Sequence, residues 1–228
     1  MTSTDKTGPI RFRVSINGER VCVAGIHGYG MVYSTIAWVW RPDRERVCEY
    51  GSPTERGCIS FALSGSAGTW IDQPVSVGDE IEVEVAESDE PIHPLPAVTS
   101  EDLDSLPLEH TWSKGIAPVR FEVFVNGQWA CIAGSDTFAV VDSIILWKWL
   151  DPAREGTPNP DGSPIQCGPA FYFVVGGLEI QEELYVSWLE DEIRPGNTVR
   201  YRILGPGRYD EPRPIATGRR YSRWPRID

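Results

Sequence analysis

The sequence predicts an all-β protein built from two tandem homologous repeats, each folded as a small β-sandwich or barrel. Three observations lead to this prediction. A stretch of the chain occurs twice, apolar and polar residues alternate with a period of two, and the 228 residues include 22 Gly, 19 Pro and 9 Trp. Short strands joined by many turns have this composition, whereas long helices do not.

The duplicated stretch defines the organisation of the chain. Residues 9–40 match residues 118–149 at a constant offset of 109, with 14 identities in 32 positions and no gap. Further on, residues 61–65 resemble residues 172–176. The last strands of the two copies match as well, and a fixed spacing of this kind indicates one structural unit used twice. We therefore predict repeat one over residues 9–90 and repeat two over residues 118–212.

Two further segments complete the predicted organisation. Residues 91–117 are rich in proline and acidic residues, which is typical of a linker. Residues 213–228 form a C-terminal tail with five arginines and a single acidic residue.

Each repeat opens with the pattern of a β-hairpin. In repeat one, Phe12, Val14 and Ile16 alternate with polar residues and lead into Asn17-Gly18. Asn-Gly readily adopts the positive φ angles of a two-residue hairpin turn. Repeat two carries the same dipeptide at residues 126–127, so we predict two hairpins.

The segment after each hairpin has two interpretations. As strands, residues 31–40 and 140–149 each place identical residues on one face, and β-branched and aromatic side chains favour this reading. As helices, they would place Lys148 on an apolar stripe and would make each repeat an α+β unit of the β-grasp type. The sequence favours the strands.

The last strand of each repeat carries charge on its outer side. Ile81, Val83 and Val85 alternate with glutamates, whereas the matching outer positions in repeat two are Arg200 and Arg202. The repeats could meet through these rows of opposite charge. The alternative is that both rows are simply solvated.

The charge and composition of the chain limit the classes of partner and the compartment that we expect. The formal net charge of −12 disfavours binding to nucleic acid and to anionic membranes. No apolar run is long enough for a membrane span, and the first residues do not have the pattern of a secretory signal. An odd number of cysteines, five, argues for reduced thiols. We therefore predict a cytoplasmic protein.

The sequence offers little for catalysis or metal binding. Cys22 and Cys131 occupy matching apolar positions, which predicts buried, unreactive thiols. The remaining cysteines and His27 lack the spacing of a zinc site. Ser34 and Ser143 lie within apolar strands, where we expect them to make room for large neighbours. We predict no catalytic residues, no metal and no cofactor.

Aromatic and basic residues are the candidates for partner binding. The tryptophans that recur in both copies are assigned to cores, whereas Trp112, Trp129 and Trp224 have no counterpart. The tail adds arginines beside an aromatic residue. The predicted partner-binding residues are Trp112, Trp129, Arg219, Arg220, Arg223 and Trp224.

These observations predict a non-enzymatic protein-binding or adaptor module with a protein partner. One alternative is an enzyme whose site lies between the repeats and uses residues that the copies do not share: His27, His93, His110 and Asp136. A second alternative is a structural or assembly protein whose repeats pack against further copies as a homo-oligomer. The sequence leaves the oligomeric state open.

Overall fold

A computed structural model of the chain describes residues 9–26, 28–39, 58–94, 114–137, 139–150, 168–179 and 184–215. In these ranges the protein is all-β, with two antiparallel sheets. The strands are β1 (Ile10–Ile16), β2 (Glu19–Gly25), β3 (Gly30–Val39), β4 (Cys58–Gly65), β5 (Gly68–Pro74), β6 (Glu80–Glu87), β7 (Arg120–Val125), β8 (Gln128–Gly134), β9 (Ala139–Leu150), β10 (Gly168–Glu179), β11 (Leu184–Asp191), β12 (Thr198–Leu204) and β13 (Arg213–Pro214).

The strands decide between the two interpretations of the segments after the hairpins. β3 and β9 are continuous strands, so the helical, β-grasp alternative at residues 31–40 and 140–149 is wrong over the described residues. In β3, Val32, Ser34, Ile36 and Trp38 are buried and alternate with half-buried residues, as the strand interpretation requires. β-Branched and aromatic side chains pack well in such a half-buried strand.

The described residues contain no helix that could span a membrane.

Each sheet contains strands from the first half and from the second half of the chain. The six-stranded sheet has the order β2-β1-β6-β12-β7-β8, and the seven-stranded sheet has the order β13-β11-β10-β9-β3-β4-β5. In the first sheet β6 pairs with β12, and in the second β3 pairs with β9. The segments before residue 90 and after residue 118 therefore share both sheets.

A single apolar core lies between the sheets. One cluster of buried residues includes Phe12 and Val83 from the six-stranded sheet and Ile36 and Phe61 from the seven-stranded sheet. All four are at most 1% exposed. Because burial of apolar surface is the main favourable contribution to folding, this shared core joins the two sheets into one unit.

The hairpins occur where the sequence predicts them. Asn17 and Asn126 both have φ of 52°, and the glycines that follow them have φ of 79° and 75°. Two successive positive φ angles match the right-handed twist of the flanking strands. Both hairpins also contain a bulge at the same place, after Val14 and after Val123.

The registers of β4 on β3 and of β10 on β9 differ by one residue from the sequence match of residues 61–65 with residues 172–176. Phe61 lies opposite Ile36, and the residue opposite Ile145 is Phe173. Phe61 therefore corresponds to Phe173 and not to Tyr172, which points out of the sheet. A shift of one residue moves a strand's side chains to the opposite face, so the core fixes this register.

An arginine on the first strand of each half, Arg11 in β1 and Arg120 in β7, holds the segment that follows β6 or β12. Arg11, which is 2% exposed, donates from Nε to the carbonyl of Glu90 at 2.9 Å. Arg120 donates in the same way to the carbonyl of Gly205 at 2.9 Å and from a terminal nitrogen to that of Arg208 at 3.0 Å. The segments that follow β6 and β12 are thus each attached to the first strand of their half. We call them the returning segments.

These returning segments include part of the predicted linker. The amide of His93 donates to Val23 at 2.9 Å, and Ala117 forms a bridge with Gly207. Residues 95–113 lie outside the described part of the chain. Of the predicted tail, β13 pairs with β11 through two residues, and residues 216–228 are also outside the described ranges.

Candidate functional site: a tryptophan–phenylalanine–arginine surface

Trp129 is the only predicted partner-binding residue within the described ranges. It lies at the start of β8, an edge strand, and 54% of its surface is exposed. The other five predicted residues lie outside the described part of the chain: Trp112, Arg219, Arg220, Arg223 and Trp224. Trp129 is therefore the residue on which the candidate site is centred.

The local backbone directs Trp129 to the outer side of the six-stranded sheet. The Asn-Gly turn ends just before β8, and Trp129 lies directly opposite Phe124 on β7. The bulge that follows leaves Ala130 without an opposite residue in the ladder. Because a bulge lets one strand change the direction of its side chains, Trp129 stays outside while Cys131 enters the core.

Two arginines lie over the ring of Phe124. The guanidinium carbon of Arg200 is 4.6 Å from the ring centroid, and that of Arg202 is 5.5 Å away. Arg200 is directly opposite Phe124 in the ladder, so Trp129, Phe124 and Arg200 form one row across three strands. Cation–π contacts of this kind hold a guanidinium against an aromatic face. We call these residues, with Arg202, the Trp–Phe–Arg surface.

Acidic neighbours neutralise much of the charge on this surface. Arg202 lies 2.9 Å from a carboxylate oxygen of Glu122 and 3.5 Å from one of Glu80. Arg200 is 3.8 Å from Glu80, and its Nε atom is buried without a hydrogen-bond partner among the described residues. A buried nitrogen without a hydrogen bond is uncommon, and this one lies beside the ring of Phe124 in the described part of the chain.

The rows of opposite charge do lie side by side. Glu82 of β6 is opposite Arg200 of β12, and Glu80 is opposite Arg202. The outer surface of the six-stranded sheet therefore runs from the glutamates of the first half to the arginines and aromatics of the second. Pairing of β6 with β12 brings these residues together.

In the first half of the chain, Arg13 forms ion pairs with two glutamates. Arg13 lies 2.6 Å from Glu90 and 2.9 Å from Glu84. Its hydrogen bond to Glu90 holds the pKa of that carboxyl below the usual value. This end of the sheet is a network of charge pairs, and the aromatic residues lie at the opposite end.

The proposed enzymatic residues are only partly described and are not brought together. His93 packs against β2, where its Nδ1 accepts a hydrogen bond from the amide of Val23 at 3.3 Å. Asp136 follows β8, where it binds the amide of Gly115 and the hydroxyl of Tyr209. β2 and β8 are opposite edges of the same sheet. His27 and His110 lie outside the described ranges.

A shallow cleft of about 370 Å³ lies beside His93. Tyr29, Trp70 and Ile92 form its apolar walls. The indole nitrogen of Trp70 is already engaged, since it donates to the carbonyl of His93 at 3.1 Å. The described walls of this cleft hold no acid beside the histidine with which it could form a catalytic pair.

The two matching cysteines are buried, as the sequence predicts. Burial raises the pKa of Cys22 to about 11 and that of Cys131 to about 12. A thiol with so high a pKa contains very little of the nucleophilic thiolate at neutral pH. Over the described residues, no group of three or more His, Cys, Asp or Glu side chains is placed to hold a metal ion.

Sequence reasoning placed Arg200 and Arg202 on the outer side of their strand but missed Phe124, the aromatic ring beside them. In β7, Phe121 and Val123 point into the core, so the alternation alone places Phe124 on the outer side beside the arginines of β12. The available signal was an apolar residue at an outward position. Recognising its neighbours also required the pairing of β7 with β12, which joins residues about 80 positions apart.

Comparison of the chain with protein-family models, curated protein sequences and solved structures gave no match.

Proposed function

We propose that the protein is a non-enzymatic binding module that recognises a partner protein through the Trp–Phe–Arg surface. The observation that carries this proposal is the exposed Trp129, paired with Phe124 beside the guanidinium of Arg200. Tryptophan and arginine are enriched among the residues that dominate binding energy at protein interfaces. A partner with an apolar side chain for Trp129 and a carboxylate for Arg200 would fit this chemistry.

The two halves of the chain supply an internal comparison. We propose that they are homologous repeats fused through shared sheets. At the offset of 109, Phe124 and Trp129 correspond to Ser15 and Arg20. The first half forms the same hairpin with these polar residues, so the hairpin does not require the aromatic pair. A feature that the fold does not require is a better candidate for binding.

The test compares two exposed aromatic residues. Trp129→Ala removes the proposed anchor, and Tyr29→Ala removes a side chain of similar exposure, 51%, in the cleft beside His93. Each variant and the wild type are used as bait for quantitative affinity capture from the source lysate, after circular dichroism has shown equal folding. We expect proteins that the wild type and Tyr29→Ala both capture and that Trp129→Ala loses. Equal capture by all three would contradict the proposal.

The tail enters the same proposal as a second contact. We propose that Arg219, Arg220 and Arg223 add electrostatic attraction to an acidic partner. Replacing these three arginines with alanine should slow association and weaken its dependence on salt, without abolishing binding. Surface plasmon resonance with a captured partner measures both effects.

We also propose a cytoplasmic location and an adaptor role. The location is supported by the thiols of Cys22 and Cys131, which form no disulfide and are typical of a reducing compartment. An adaptor joins two partners, so it needs a second surface in addition to that around Trp129.

A further inference from the structure

The two returning segments are attached to the edge strands of the six-stranded sheet by matching contacts. The amide of His93 donates to the carbonyl of Val23 on β2 at 2.9 Å, and the amide of Asp210 donates to the carbonyl of Ile132 on β8 at 2.9 Å. Val23 and Ile132 correspond to each other at the offset of 109. His93 and Asp210 therefore hold the same position in the two halves.

A tryptophan of the other sheet bonds to this position in each half. The indole Nε1 of Trp70 on β5 donates to the carbonyl of His93 at 3.1 Å. The indole Nε1 of Trp188 on β11 donates to the carbonyl of Asp210 at 2.7 Å. Each returning segment thus bonds to both sheets, and the backbone contacts of the two halves are alike.

The side chain that completes the attachment differs between the halves. The amide of Ile132 donates to a carboxylate oxygen of Asp210 at 2.6 Å, whereas the amide of Val23 donates to Nδ1 of His93 at 3.3 Å. Because a backbone amide only donates, Nδ1 of His93 carries no hydrogen, and the imidazole is neutral with its hydrogen on Nε2. Val23 is buried, at 1% exposed, so its amide depends on this acceptor.

We propose that His93 is a pH-sensitive attachment, which releases the returning segment of the first half, residues 88–94, from β2 on mild acidification. Protonation adds a hydrogen to Nδ1, so the amide of Val23 then faces another donor. Histidine is the side chain whose charge ordinarily changes between about pH 5 and 8, whereas an aspartate carboxylate remains an ionised acceptor over that range. The attachment at Asp210 therefore persists while that at His93 opens.

The charged groups around His93 are compatible with a charged imidazole. Asp89 and Glu90 precede it on the same segment, and the carboxylate of Glu90 interacts favourably with a protonated His93. The arginines of the adjoining strands, Arg13 of β1 and Arg20 of β2, are both paired with Glu90, at 2.6 Å and 3.2 Å. Their positive charges are thus compensated, and acids are the nearest charged groups on the segment itself.

Release of the segment uncovers backbone groups and apolar surface together. β2 is an edge strand, and the segment covers the amide and the carbonyl of Val23. Ile92 moves away from Trp70, which lies with it in the cleft beside His93. Tyr29, the titratable group of that cleft, is a phenol, and phenols are uncharged at mildly acidic pH. Since uncovered edge groups can pair with another strand, acidification opens one edge of the sheet and leaves the other closed.

The experiment measures amide hydrogen exchange of the full chain by NMR at about pH 7.5 and about pH 5. Each rate is expressed relative to that of an unstructured chain at the same pH, which removes the intrinsic effect of pH on exchange. Protection of the amides of Val23 and His93 should fall about tenfold at the lower pH. The matching amides of Ile132 and Asp210 are the control within the same molecule, and their protection should stay unchanged.

Two reciprocal variants assign the effect to the side chain. His93→Asp copies the second half, so the amide of Val23 should keep its protection at both pH values. Asp210→His copies the first half, so the amide of Ile132 should acquire the loss at low pH. Circular dichroism checks that both variants are folded, and the wild-type comparison of the two halves depends on neither.

Four outcomes would overturn the proposal. The first is equal protection of the amide of Val23 at both pH values in the wild type, and the second is an equal loss in both halves, which would indicate global destabilisation. The third is a loss at Val23 that persists in His93→Asp, because another group would then be responsible. The fourth is an Asp210→His variant whose Ile132 amide shows no dependence on pH.

Discussion

The hydroxyl groups of Ser143 and Tyr201 lie 2.9 Å apart in the core and connect the two sheets. Ser143 belongs to β9 of the seven-stranded sheet and also donates to the carbonyl of Val174 at 3.0 Å. The phenol of Tyr201 on β12 must therefore donate to Ser143. Ser143 thus accepts one hydrogen bond and donates another.

This pair predicts an order of stability for three variants. Tyr201→Phe removes one hydrogen bond and should lower the free energy of unfolding by about 1 kcal/mol. Ser143→Ala leaves the fully buried phenol without a partner and should lower it by about 2–3 kcal/mol. In the Ser143→Ala background, the additional Tyr201→Phe should be neutral or stabilising. Urea unfolding measures all three, and equal losses for the single variants would contradict the assignment of donor and acceptor.

Replacing Arg11 with lysine should have a local effect on amide hydrogen exchange. Arg11→Lys cannot reproduce the bonds from Nε to Glu90 and from a terminal nitrogen to Ile10. The segment that follows β6 should open more often, so the amide of His93 should exchange faster. The matching amide of Asp210, which donates to Ile132, is the control and should be unchanged. Uniform acceleration would indicate global destabilisation instead.

The buried thiols predict a loss of stability in alkali. The folded chain holds the protons of Cys22 and Cys131 up to a pKa of about 11 and about 12, whereas an exposed thiol has a pKa near 9.0. Above pH 9 the unfolded chain therefore releases these protons first, and the free energy of unfolding falls as pH rises. The slope should approach about 1.4 kcal/mol per pH unit for each thiol.

The control for this effect is the variant with Cys22→Ala and Cys131→Ala. Its stability between pH 9 and 11 should fall less steeply than that of the wild type, as measured by urea unfolding at each pH. Parallel curves for the two proteins would show that the thiols are not responsible.

Replacing Gly177 with alanine should cause a steric overlap, whereas the same change at Gly205 should not. A methyl group at Gly177 would lie 2.8 Å from the carbonyl oxygen of Val140 and 3.2 Å from the ring of Trp188. Gly177→Ala should therefore lower the free energy of unfolding by about 1–3 kcal/mol. At Gly205 the nearest atom is a methyl group of Val77 at 3.4 Å, an ordinary contact. Gly205→Ala should change thermal unfolding very little.

The strands and hairpins could be predicted from the sequence because their determinants are local. Asn17-Gly18 fixes a turn, and the alternation in β3 fixes its buried face. The pairing of β3 with β9 could not be predicted in this way, since no local pattern states which strand lies next to which. The same limit applies to Phe124 and Arg200, which meet only through the pairing of β7 with β12.

The returning segments show a second limit. The alternation in β1 and β7 places Arg11 and Arg120 on the polar side of their strands, where charge usually meets solvent. In the structure Arg11 is covered, because backbone carbonyls of the following segment accept its hydrogen bonds. Such a contact depends on the path of a loop, for which the sequence carries no periodic signal.

The two halves form one folding unit through the β6–β12 and β3–β9 pairs. The most direct test is to produce residues 1–113 and residues 114–228 separately and together, and to follow thermal unfolding by calorimetry. We expect neither fragment alone to show a cooperative transition, because each would expose half of the shared core, and we expect the mixture to recover one. A cooperative transition of either fragment alone would contradict the claim and would establish two independent domains.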